Sequence, residues 1–163
     1  MALRLILTRH AKSGWADPIQ DDKDRTLADR GRADAARLGR WLTDSDIDQA
    51  IVSTAARTQE TWSVIAQIGA IQAEAQNLDA LYLASCDVLL QTLQRATGNC
   101  VLLLAHNPGI GELANRLIKF PAPHSDFVHY PTCATAVFDI AAPRWSDVAL
   151  GENILQNFWT PQS

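Results

Sequence analysis

Residues 3–8, LRLILT, form a short apolar run rich in branched side chains, and the next two residues are Arg9 and His10. A run of this length and composition reads as a buried strand. Arg and His resist burial, so the strand has to surface where they stand. The pattern recurs at residues 100–105, CVLLLA, which run straight into His106 and Asn107. A third apolar segment, residues 47–53, ends at Ser53, with Arg57 about one helical turn further on.

Helical periodicity fills the intervals. Residues 30–42 repeat Ala35, Leu38, Gly39 and Leu42 at helical spacing, and residues 56–68 put Trp62, Ile65 and Ala66 on one face. Residues 86–97 read as a helix with Ser85 as N-cap and Asp87 in its first turn. Residues 110–118 carry a clean apolar stripe. Residues 71–76, 135–140 and 153–159 supply the remaining strands. Alternation of strands and helices implies a three-layer α/β/α fold with a mostly parallel central sheet. At 163 residues the chain fits one domain, 1–163. Two stretches break the pattern, 15–29 and 119–134, and read as long loops that border a site.

Composition excludes several classes. The net charge of −4 argues against a general nucleic-acid binder. No segment has the unbroken apolar length of a membrane span, and the N-terminal run is too short for a signal peptide. A cytoplasmic location is expected. Cys86, Cys100 and Cys133 form no CxxC pair and carry no chemistry in this reading. With no HxH, HxxxH or CxxC spacing, and with arginines beside the histidines, neither metal nor cofactor is expected.

In an open α/β sheet, ligands bind outside the carboxyl ends of the strands. If the three strands are neighbours, Arg9, His10, Arg57 and His106 converge there. A compact cationic pocket on an acidic protein calls for a small anion, phosphate above all. Arginine offers forked donors to phosphate oxygens, and a neutral imidazole can be the nucleophile.

The ordered segments LILTRHAKS, VSTAARTQET and LLLAHNPGIGELA resemble the histidine phosphatase superfamily, whose defining feature is an RHG-type motif after the first strand. The opening RHAKSGW, followed by RTLADRGRADA, is similar to the phosphohistidine phosphatase (SixA-type) branch. The resemblance implies a phosphoglycerate mutase-like fold, a covalent phosphohistidine intermediate and no metal. It makes His10 the nucleophile, Arg9 and Arg57 the phosphoryl clamp, and His106 the second histidine. Ser13 and Asn107 match polar positions flanking the motifs, with loop polarity or helix capping as the plainer reading of both. Arg25 matches an arginine of this branch that reaches the substrate, a solvated loop charge being its plainer reading. Trp15 is placed at the pocket mouth, while His124 and His129 read as surface residues. The implied substrate is phosphohistidine on a protein. A small phosphorylated molecule is the alternative, and a non-catalytic phosphohistidine-binding module the third reading.

Two departures from the family pattern stand out. Ala11 replaces the usual glycine, at a cost if the position needs a positive φ. The mid-chain glutamate that serves larger members as general acid has no clear match. Asp17, Asp79 and Asp87 are the weak candidates.

Overall fold

The computed structural model describes residues 2–15 and 17–163. Among these, six strands form one sheet: β1 (Leu3–Arg9), β2 (Gln49–Ser53), β3 (Ala75–Leu78), β4 (Cys100–Ala105), β5 (Thr135–Ile140) and β6 (Ile154–Trp159). Their order is β3-β2-β4-β1-β5-β6. β1 pairs parallel with β4, and β2 pairs parallel with both β4 and β3. β5 runs antiparallel to β1 and to β6, so it alone opposes the rest. Four helices flank the sheet: α1 (Asp29–Trp41), α2 (Ala56–Ile68), α3 (Cys86–Leu93) and α4 (Gly109–Leu117). No helix among the described residues is long and apolar enough to cross a membrane.

The three layers follow from strand alternation, because successive side chains point to opposite faces. Leu5, Leu7, Val101 and Leu103 face α3 and α4, where Leu89, Leu93, Ile110, Leu113 and Leu117 meet them. Ile6, Leu102, Leu104 and Val52 face α1 and α2, against Leu38, Trp62 and Ile65. β4, covered on both faces, is buried along its whole length. This explains its uninterrupted apolar sequence, as expected for an interior parallel strand.

Some boundaries differ from the sequence reading. β3 spans Ala75–Leu78 rather than 71–76, because only that stretch pairs with Ala50–Ser53 of β2. Ile71 and Ala73 pack on the α1–α2 layer without strand pairing. Ser85 does cap α3, its Oγ accepting from the Val88 N–H at 3.3 Å. The helix stops at Leu93 instead of 97. Beyond it, Gln49 Oε1 accepts from the Thr97 and Gly98 N–H groups, both at 2.8 Å, and Asp48 accepts from Asn99. Side chains some fifty residues away thus take over the donors that a longer helix would use. Ala11 has no positive φ, so alanine there carries no left-handed penalty.

α1 docks tightly on the segment that follows β1. The Ala28 N–H donates to the Lys12 carbonyl at 2.9 Å. A Cβ added at Gly31 would lie 2.1 Å from that same carbonyl oxygen, where backbone cannot easily yield. Gly31→Ala is therefore expected to destabilise the fold by about 1–3 kcal/mol through overpacking. A fall in the denaturant midpoint at unchanged slope would show it, and an unshifted midpoint would refute it.

Candidate active site

The β1–β4 register explains why two distant histidines meet. Arg9 pairs with Ala105, so His10 and His106 leave neighbouring strands at the same level. Their ring centroids are 5.4 Å apart. β2 lies on the other side of β4, and its last residue, Ser53, contacts His106 through an Oγ···Nε2 hydrogen bond of 2.8 Å. Arg57 stands at the second position of α2, directly above this edge.

The seven residues singled out in the sequence, Arg9, His10, Ser13, Arg25, Arg57, His106 and Asn107, all line one cleft of about 230 Å³. Trp15 stands at its rim, largely exposed, with the Arg25 guanidinium stacked 3.6 Å over its ring. His129 is exposed and His124 is half-buried against Phe158.

Each side chain is held differently. His10 is 6% exposed, and its Nδ1 lies 2.7 Å from the Ala11 carbonyl. A carbonyl only accepts, so Nδ1 carries the hydrogen and Nε2 of the neutral ring keeps a lone pair. The Ser53 Oγ also receives the Ala55 N–H, at a long 3.4 Å. Its own hydrogen is then free to go to His106 Nε2, an arrangement in which Nδ1 of His106 carries the hydrogen. That Nδ1 is buried and has no partner among the described residues. Arg9 donates from Nη1 to the Tyr130 carbonyl at 3.2 Å. Arg25 donates from Nη2 to Ser13 Oγ. Asn107 lines the cleft, but its amide nitrogen donates to the His129 and Tyr130 carbonyls and its Oδ1 accepts from Gly111. Its groups tie the 119–134 loop to the first turn of α4.

Sequence reasoning missed Asp22. Its carbonyl accepts from Arg57 Nη1 at 2.8 Å, and its Oδ2 accepts from Arg57 Nη2 at 3.1 Å. Oδ1 lies 3.4 Å from Arg25 Nη1, and the Tyr82 hydroxyl donates to Oδ2. The Tyr82 ring also meets His106 edge-on, at 5.5 Å between centroids. Asp22 stands three residues before Arg25 in a stretch crowded with aspartates, and only that spacing hinted at an ion pair. The three weak acid candidates lie elsewhere. Asp17 accepts from the Ile19 N–H, Asp79 from Lys23 and Thr54, and Asp87 lies 4.0 Å from Arg116. None of the three lines the cleft.

Electrostatics keep both histidines neutral. Burial first, then the charges of His106, Arg57 and Arg9, push His10 down to about 3, against the opposing hydrogen bond to Ala11. Burial and Arg57 lower His106 to about 4. In the unfolded chain both would titrate near the ordinary value of 6.5. Below that pH the unfolded state takes up protons that the folded state refuses. Their contribution to stability is therefore complete above pH 6.5 and is lost as pH falls toward 4 and then 3. The melting temperature of the empty protein should fall across this window, and His10→Gln should flatten the slope. A wild-type profile that stays level would contradict it. Asp22 shifts downward, chiefly through the Tyr82 hydroxyl and also through Arg57, so it is an ionised acceptor at neutral pH.

Known proteins resemble this chain in sequence and in fold. Residues 5–82 match the sequence profile of the histidine phosphatase superfamily, branch 1. An uncharacterized chloroplastic protein of Arabidopsis thaliana is 31% identical over 157 residues, covering 88% of this chain and 69% of that one. A presumed phosphohistidine phosphatase SixA from Nakamurella multipartitia superposes with a TM-score of 0.85 at 26% identity, over 100% of this chain and 98% of that one. Another, from Agrobacterium tumefaciens, gives 0.78 at 26% identity over 99% of both chains. This chain belongs to the histidine phosphatase superfamily.

Proposed function

We propose that this protein is a phosphohistidine phosphatase that hydrolyses the P–N bond of a phosphorylated histidine on a protein. The observation that carries the reading is the fixed tautomer of His10, which leaves its Nε2 unprotonated in a cleft lined by three arginines. The Nε2 lone pair attacks phosphorus, the bond from phosphorus to the substrate nitrogen breaks, and the released imidazole takes a proton from solvent. Arg9, Arg57 and the Nδ1–H of His106 stabilise charge on the phosphoryl oxygens, where most catalysis of phosphoryl transfer resides. Water then attacks the phosphorylated His10, returning the free imidazole and inorganic phosphate. Ser13 and Arg25 form a second tier of phosphate contacts, and Asn107 holds the cleft wall. The guanidinium groups would repel a divalent cation, so the chemistry is metal-free.

Exposed Trp15 and Leu83 at the rim support a macromolecular substrate, since a small phosphate ester has no use for apolar surface there. The two hydrophobic layers share one sheet, which supports residues 1–163 acting as a single catalytic domain. Three unpaired, buried cysteines suit a reducing compartment such as the cytoplasm. The test is phosphate release from a phosphohistidine peptide, with and without EDTA. Equal release in both supports the reading. Activity lost to EDTA and restored by a divalent ion would end the metal-free part. Retained binding of the peptide without turnover would favour a non-catalytic module.

A further inference from the structure

Asp22 is an anion already seated on the cations that a phosphoryl group would occupy. Its carboxylate touches Arg57 and Arg25 together, and the Tyr82 hydroxyl fixes it there. A carboxylate offers a guanidinium the same acceptors as one edge of a phosphate. On the reading that the cleft takes a phosphoryl group, we propose that Asp22 is a built-in counter-anion that lowers the affinity of the cleft for phosphate and so speeds product release.

The charge balance supports this. With both histidines neutral, the cleft carries the four positive charges of Arg9, Lys12, Arg25 and Arg57 and the one negative charge of Asp22. The surplus already exceeds the charge of a phosphate dianion, and among the residues lining the cleft Asp22 is the one anion that lessens it. Without the carboxylate the surplus would grow by one more charge, and phosphate would be held more tightly. The division of labour within Asp22 matters too. Its backbone carbonyl holds Arg57 Nη1 independently of the side chain, so Arg57 stays placed when a phosphoryl group displaces the carboxylate from Nη2. A neutral side chain at this position therefore removes charge without releasing the arginine. A residue that merely anchored Arg57 would give the opposite result when neutralised.

The experiment is calorimetric titration of the wild type, Asp22→Asn and Asp22→Ala with inorganic phosphate and with tungstate at one ionic strength. Both neutral variants should bind about tenfold or more tightly than the wild type, the order expected for removing one nearby like charge in a partly screened site. Product inhibition by phosphate during turnover of an aryl phosphate should strengthen in parallel. Asp22→Glu should reverse much of the gain. Equal or weaker binding in the neutral variants would overturn the proposal and make Asp22 an anchor for Arg57 alone. Failure of the wild type to bind either anion would instead remove the phosphate-cleft reading, and this inference with it. Because Asn and Ala both keep the carbonyl contact, a folding failure in one variant leaves the other to decide.

Discussion

His10→Ala should release no measurable phosphate from any substrate, a loss on the order of 10⁴-fold or more, because it removes the cleft imidazole whose lone pair the Ala11 carbonyl fixes. His106 is the obvious substitute, being buried 5.4 Å away by ring centroids. The two rings are not equivalent. The Ala11 carbonyl forces the hydrogen of His10 onto Nδ1, which leaves Nε2 bare. The partner of His106 is a hydroxyl, which can donate to Nε2 and keep Nδ1 protonated as a phosphoryl donor. Acid-quenched wild type should therefore carry phosphate on His10 alone by mass spectrometry, and the variant should carry none. The fold should survive the change, since the backbone of His10 keeps its bonds to Ala105 and Cys133. Tungstate binding by the variant would confirm an intact cleft. A phosphorylated His106, or substantial turnover without His10, would reverse the assignment.

What the sequence revealed and what it hid follow from the range of the interactions. The strand ends that carry Arg9, His10 and His106 were legible because a buried strand must surface where charged side chains begin. Arg57 was legible because it follows a strand end by four residues. The stripe on α4 was legible as periodicity, and Ile110, Leu113, Ala114 and Leu117 are fully buried. The end of α3 and the bounds of β3 were not, because partners on a distant part of the chain set them. Asp22 and Tyr82 were hidden for the same reason: 60 residues separate a carboxylate from the phenol that fixes it. Position in the chain points to Asp17, Asp79 and Asp87 as candidate acids. The cleft instead holds a carboxylate from the early loop, and its surroundings make it an acceptor.

That acceptor role decides which bonds the cleft can break. A general acid contributes ~10²–10⁴-fold when a poor leaving group must be protonated as it departs. Asp22 is held below the usual carboxylate range, with Tyr82 and Arg57 both favouring its ionised form, so it has no proton to give at neutral pH. Both histidines are neutral there as well, and Nδ1–H of His10 is engaged by a carbonyl on the far side of its ring. A serine or sugar alkoxide would thus leave unassisted. A phosphorylated imidazole is different, since its second nitrogen takes a proton from solvent and the ring departs neutral. The expected order of kcat/KM is phosphohistidine peptide first, aryl phosphate between, and alkyl phosphate last, the alkyl ester trailing by at least about 10²-fold. Aryl esters fall between because a phenolate leaves with little help. All three should be measured under one set of conditions, with the chemical step isolated by single turnover. An alkyl ester cleaved as fast as the P–N substrate would mean that the cleft has a working proton donor. Asp22→Asn would then be the first variant to examine, because a loss confined to the alkyl ester would show that the carboxylate does carry a proton when substrate is bound. In that event a general phosphomonoesterase would displace the phosphohistidine reading.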